Sequence, residues 1–106
     1  MTTPEPTESR FADNETEHRY ELWVGDQRVG TISYRSRPNA IVLVRTVVDS
    51  PFEGKGYGSR LVHDALADIR ARGLKVVAHC DFVSSYLRRH PDEADVLPQD
   101  RPVEDR

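Results

Sequence analysis

The chain has 106 residues, of which 37% are hydrophobic and 31% charged, with a formal net charge of -3. That length makes one small domain and excludes a two-domain enzyme, while one cysteine and four histidines leave no internal disulfide and too few ligands for a structural zinc cluster. Residues 1–17 carry five acids and one base, residues 91–106 six acids and two bases, and the body between them seven acids and twelve bases, a formal +5 that suits a polyanionic ligand.

Residues 1–12, with Pro4 and Pro6 and no apolar periodicity, are expected to form a disordered acidic tail. Residues 98–106, with Pro98 and Pro102, are expected to form a second flexible one, which bounds a single domain over 13–97. No run approaches the ~20 apolar residues of a membrane span and the start lacks signal-peptide character, so a cytoplasmic chain without a membrane partner is expected. Arg19-Tyr20-Glu21-Leu22-Trp23-Val24 alternates polar and apolar residues, Gly25-Asp26-Gln27 offers a turn, and Arg28 to Tyr34 is a second extended run, together a β-hairpin. Ala40 to Val48 is apolar on both faces until Arg45, as in a central strand.

The period then changes. Leu61, Val62, Ala65, Leu66 and Ile69 recur at helical spacing, and Gly73 follows Arg70 and Arg72 as a helix stop. Leu74 to His79 reads as a short strand, and a last helix runs from an Asp81 N-cap, with Phe82, Val83, Tyr86 and Leu87 on one face, to Pro91. The order strand, strand, strand, helix, strand, helix predicts an α/β or α+β sandwich with no internal repeat, its last strand lying parallel to the one before or reached by another crossover.

Glu53-Gly54-Lys55-Gly56-Tyr57-Gly58-Ser59-Arg60-Leu61 lies between the buried strand and the amphipathic helix. Glycines let backbone pass close to a ligand, and the N–H groups of a helix start favour a phosphate anion. The Walker spacing GxxxxGK[ST] is absent, and the dinucleotide spacing GxGxxG fails because Ser59 follows Gly58. By itself the run also fits a flexible surface turn.

With its surroundings, the run resembles the acetyl-CoA loop of the GNAT N-acetyltransferases, [Q/R]-x-x-G-x-[G/A]. It is more closely similar to the short stand-alone GNAT-like domains, through Arg19-Tyr20-Glu21-Leu22, Phe52 to Val62, and the Cys80 to Pro91 segment, CDFVSSYLRRHP. The resemblance covers roughly residues 13–97. Glu53 stands where such enzymes usually have Gln or Arg, and Arg45-Thr46-Val47-Val48 stands where short relatives have His-Thr-Glu-Val, so the acid expected at position 47 is missing.

The resemblance implies an abbreviated GNAT fold, a mixed, mostly antiparallel α+β sheet of about four to five strands with two to three helices, and an acetyl-CoA-dependent N-acetyltransferase. The backbone of Val47 and Val48 would pair with pantetheine, and Gly54, Gly56, Tyr57, Gly58 and Ser59 would hold the pyrophosphate. Lys55, Arg60, Arg88 and Arg89 are candidate phosphate cations, and Cys80 or Tyr86 would protonate the leaving thiolate. A position before a helix start favours a reactive thiolate at Cys80, which leaves a covalent acetyl-cysteine route open beside direct transfer. Tyr86 equally suits a core aromatic, and neither His63 nor His79 reads as a catalytic base. With no helical pattern between its first two strands, the acceptor side should be open to an amine of a protein, a peptide or a small molecule. A non-catalytic acyl-CoA-binding module is the alternative. Nucleic acid is not expected as a partner, because one Trp gives no stacking platform, and the chain is expected to be a monomer or weak dimer.

Overall fold

Turns at residues 15–18, 25–26 and 38–39 fold the first half of the chain into an antiparallel meander. In the computed structural model, which describes residues 9–97, this meander comprises β1 (Ser9–Asn14), β2 (Arg19–Val24), β3 (Gln27–Arg37) and β4 (Ala40–Val48). The turns use residues that tolerate left-handed backbone, Gly25 at φ 60° and His18 at φ 57°. A crossover through α1 (Tyr57–Ala71) then adds β5 (Lys75–Ala78) parallel to β4, giving a five-stranded sheet in chain order. The helix α2 (Asp81–Arg89) and a 3₁₀ segment, Pro91–Val96, complete the domain. The mixed α+β architecture expected from the sequence is the one observed.

The N-terminal boundary needs correction. Residues 9–12, assigned to the tail, belong to β1, whose full register pairs Ser9 with Val24 and Asn14 with Arg19. Tertiary partners make this polar segment a strand: the Phe11 ring stacks on Tyr20 with centroids 5.2 Å apart, and Asp13 accepts the Tyr34 hydroxyl at 2.6 Å and pairs with Arg72. Residues 1–8 and 98–106, expected to be tails, lie outside the described residues. Further on, Cys80 rather than Asp81 is the N-cap of α2, and Pro91 opens a 3₁₀ segment that buries Val96.

Strand alternation gives the sheet two unlike faces. Tyr20, Leu22, Ile32, Tyr34, Ile41, Leu43 and Val76 form one face, all at most 5% exposed, and cluster with the α1 stripe of Leu61, Val62, Ala65, Leu66 and Ile69. Val83, Tyr86 and Leu87 of α2 join the same cluster, so both helices cover one side. The opposite face, on which no helix packs among the described residues, carries Glu21 at 5% exposure. Its carboxylate accepts from Asn14 at 2.9 Å, Arg19 at 2.7 Å and Trp23 at 3.0 Å. Burial would raise its pKa, but these hydrogen bonds outweigh that and hold it below the usual range.

The parallel pair is short. β4 meets β5 only from Ala40 opposite Lys75 to Leu43 opposite Ala78, with one further bond from the His79 N–H to the Leu43 carbonyl. A register shift between Ser33 and Tyr34 on β3 places Val44 as an extra residue on β4. From Val44 to Val48 the β4 edge that faces away from β3 has no strand beside it among the described residues.

Candidate active site

The chain leaving β4 makes one 3₁₀ turn, Ser50–Phe52, passes Gly54 at φ 80° and enters α1 through Gly56 at φ 85°. Both values lie in the left-handed region that glycine adopts without strain. Gly56 is the α1 N-cap and offers no side chain to the first turn, so the N–H groups there have no side-chain cap. Gly58 answers a different need: a Cβ on it would lie 2.5 Å from Phe82 Cζ, so the start of α1 and the start of α2 approach only because residue 58 has no side chain.

Between these helix starts and the free end of β4 lies a groove of about 480 Å³, lined by Thr46, Val48, Phe52, Glu53, Gly54, Gly56, Tyr57, Gly58, Ser59, Phe82 and Arg89. Seven of the residues expected at the cofactor site therefore line one cavity: Val48, Gly54, Gly56, Tyr57, Gly58, Ser59 and Arg89. Arg89 donates to Ser85 Oγ at 2.9 Å. Arg60, in the first turn of α1, donates to Asp64 at 3.0 Å, and Lys55 is exposed on the loop. Two residues lie elsewhere. Val47 alternates to the opposite face of the sheet, 39% exposed, and Arg88 lines a second cavity of about 510 Å³ beside β5 with Val77, His79 and Leu97.

Cys80, whose place before a helix start suggests a reactive thiolate, is only 7% exposed, because its position at the α2 N-cap packs it into the core cluster. Its sulfur lies 3.2 Å from Thr46 Oγ1, and Thr46 lines the groove, so the thiol stands one side chain behind the groove wall. The Tyr86 ring is buried, stacks on His90 at 4.1 Å, and donates its hydroxyl to Glu93 Oε2 at 2.6 Å. Burial and that carboxylate both raise the Tyr86 pKa, which makes the phenol a weaker acid than usual. His63 Nδ1 lies 3.1 Å from the same carboxylate. Burial would raise the Glu93 pKa, but the bonds to Tyr86 and His63 outweigh it and lower it. This Tyr86–Glu93–His63 cluster joins α2, the 3₁₀ segment and α1, and does not line the groove.

Sequence reasoning passed over Thr46, Phe52 and Phe82. Phe82 was placed on the apolar face of α2, yet it is 38% exposed and forms groove wall. The signal was its place two residues after Cys80, at the first turn of a helix whose start must meet Gly58.

A parallel strand pair that parts beside a glycine-gated helix start, with a groove running between them, is the frame of an acyltransferase. Residues 19–96 match the family described as GCN5-related N-acetyl-transferase, and the chain belongs to that family. The fold is similar to the solution structure of a GCN5-like protein from Staphylococcus aureus, itself assigned as a candidate N-acetyltransferase. That likeness has a TM-score of 0.67 at 23% identity and covers 89% of this chain and 92% of that one. It is also similar to Ard1 from Thermoplasma volcanium, with a TM-score of 0.50 at 24% identity over 57% of this chain and 43% of that one. No curated protein matches the sequence. Among the described residues no helix is long and apolar enough to cross a membrane, and no group of side chains is arranged to hold a metal ion.

Proposed function

We propose that the protein transfers acetyl from acetyl-CoA to an amine by direct attack. The observation that supports this reading is the groove itself, which connects the glycine-rich helix start to the unpaired end of β4. The N–H groups of the first α1 turn and the Arg89 guanidinium suit a pyrophosphate, with Arg60 and Lys55 adding positive charge around it. The unpaired backbone from Val44 to Val48 suits the amides of pantetheine, and Phe52 and Phe82 offer apolar walls. Acetyl-CoA supplies the activated thioester carbonyl.

In the transfer the amine nitrogen bonds to the carbonyl carbon, the carbon–sulfur bond breaks, the amine gives up a proton and the thiolate takes one. Thr46, which lines the groove, and Cys80 behind it, 3.2 Å apart, are the donor pair this reading assigns to the departing thiolate. Tyr86, with its hydroxyl committed to Glu93, acts in packing. β4 carries no acid or histidine from Ala40 to Val48, so no side chain of that strand takes the amine proton.

The test is ligand-dependent melting. Acetyl-CoA at ~100 times its Kd adds ~2.7 kcal/mol, a shift on the order of ten degrees for a domain of this size. Gly56→Asp, which places a side chain in left-handed backbone and a like charge at the phosphate, is expected to abolish the shift. An unmoved wild-type melting curve at saturating acetyl-CoA would sink the reading, and CoA release with amine panels tells transfer from binding alone.

A further inference from the structure

The sheet face turned away from the helices has a composition the acetyl-transfer chemistry has not used. By strand alternation and register, Arg10, Arg19, Arg28, Arg35, Arg37 and Arg45 share it with Glu21 and Trp23. Glu21 engages Arg19 at 2.7 Å and Arg28 at 3.8 Å, and Arg10 lies over the Trp23 ring at 5.4 Å. Arg35, Arg37 and Arg45 are exposed and make no ion pair among the described residues. Six arginines against one buried acid, Glu21, leave this face with an excess of positive charge among the described residues.

We propose that this arginine face is the acceptor-docking surface, and that the acceptor is an acidic peptide carrying a free amine. The inference rests on the acetyl-transfer reading and adds the substrate class. The groove, with Thr46, Val48 and Phe82, opens on the helix side of β4, whereas Val47 and Arg45 lie on the other face of the same unpaired segment. An acceptor that approaches from the arginine face reaches that segment without displacing what fills the groove. Charge complementarity commits the partner to an anionic one. A peptide is favoured over a nucleic acid because transfer needs an aliphatic amine and the face offers one aromatic ring.

The same arginines bear on the protonation of the amine. A cation beside an ammonium disfavours its protonated form, so Arg45, on the same face of β4 as Val47, favours the neutral amine that attack requires. Acidic side chains of the acceptor offset the repulsion at the surface while the amine itself reaches the β4 edge.

Trp23 is the sole tryptophan of the chain and lies in this face, so its fluorescence reads occupancy without turnover. The probe is a short peptide rich in Glu with one free amine, titrated into the full chain, beside a Lys-rich peptide of equal length and a single-stranded oligonucleotide. A saturable Trp23 response to the acidic peptide alone is expected, weakening as salt rises. Arg35→Gln with Arg45→Gln should weaken it by about tenfold or more, whereas Arg70→Gln, on α1, should leave it unchanged. Acetylation of the acidic peptide should exceed that of the Lys-rich one. An equal response to the Lys-rich peptide, or tighter binding of the oligonucleotide, overturns the proposal. So does an absent Trp23 response while acetyl-CoA still shifts the melting curve, a result that leaves the transferase reading standing. Loss of the acetyl-CoA shift with the Trp23 response intact overturns the acceptor role by removing the transfer reading beneath it.

Discussion

At Gly58 a single hydrogen in place of a side chain lets the start of α1 pack against Phe82. A methyl group there meets Phe82 Cζ at 2.5 Å, so Gly58→Ala forces the ring to turn. Phe82 is 38% exposed and has the groove beside it, so the ring has room to move there. The stability cost should therefore fall at the low end of overpacking, ~1 kcal/mol, while the acetyl-CoA melting shift is largely lost. Phe82→Ala in the same chain removes the clash, and the double variant should recover much of the shift, a coupling that a double-mutant cycle measures. If Gly58→Ala binds as wild type does, Phe82 is not a groove wall. The glycine loop was legible in the sequence because it is local: Gly54, Gly56 and Gly58 sit at a strand-to-helix junction that periodicity alone locates. The Thr46–Cys80 contact was not legible, because it spans 34 residues and follows from the course of two elements rather than from any spacing. For the same reason Cys80 could be placed before a helix start, but its burial could not be read.

At the scale of elements, β1 is the instructive case. Its sequence, SRFADN, holds one large apolar residue, and no pattern of period two sets it apart from the tail before it. What makes it a strand is the edge of β2 and three attachments: Phe11 on Tyr20, Asp13 on Tyr34 and Arg72, and Asn14 on Glu21. The β2–β3 hairpin, β4 and both helices, by contrast, announce themselves through alternation or helical spacing, since each buries a face of its own. Truncation through residue 14 should therefore expose the β2 edge, uncover the Tyr20 and Tyr34 rings and cost several hydrogen bonds. A loss of at least ~10 °C in melting temperature is expected for a domain of this size, with acetyl-CoA binding weakened only as far as stability requires. Asp13→Ala alone should give a smaller loss, ~1–3 kcal/mol, for removing an acceptor from a buried phenol and a guanidinium. An unchanged melting temperature after the truncation would mean that β1 adds nothing to the fold.

For the whole molecule, the carboxylates that tie elements together make stability depend on pH in a definite direction. Glu21 binds β1 to β2 across the arginine face, Glu93 joins the 3₁₀ segment to α1 and α2, and Asp95 joins that segment to Arg70 of α1. Burial pushes the Glu21 and Glu93 pKa values up, but their hydrogen bonds more than reverse it, and the Arg70 guanidinium lowers that of Asp95, so all three are depressed in the folded state. A group with a depressed folded pKa contributes fully above its unfolded value, ~4 for a carboxylate, and loses that contribution as pH falls through the folded value. The melting temperature should therefore stay nearly flat from neutral pH to about 5 and fall steeply below about 4. Glu21→Gln isolates one share of the effect. It removes the charge but keeps the shape, so at neutral pH it should lower stability by about 1–3 kcal/mol, the scale of hydrogen bonds to a charged group. As pH falls through its depressed folded value the native Glu21 is itself protonated, and the gap between wild type and variant should shrink. A gap that stays constant across the titration would assign the cost to packing at that site rather than to the carboxylate charge. The arginine face would then be held together without its central anion, and neutralising Arg19 or Arg28 should leave the melting temperature unmoved.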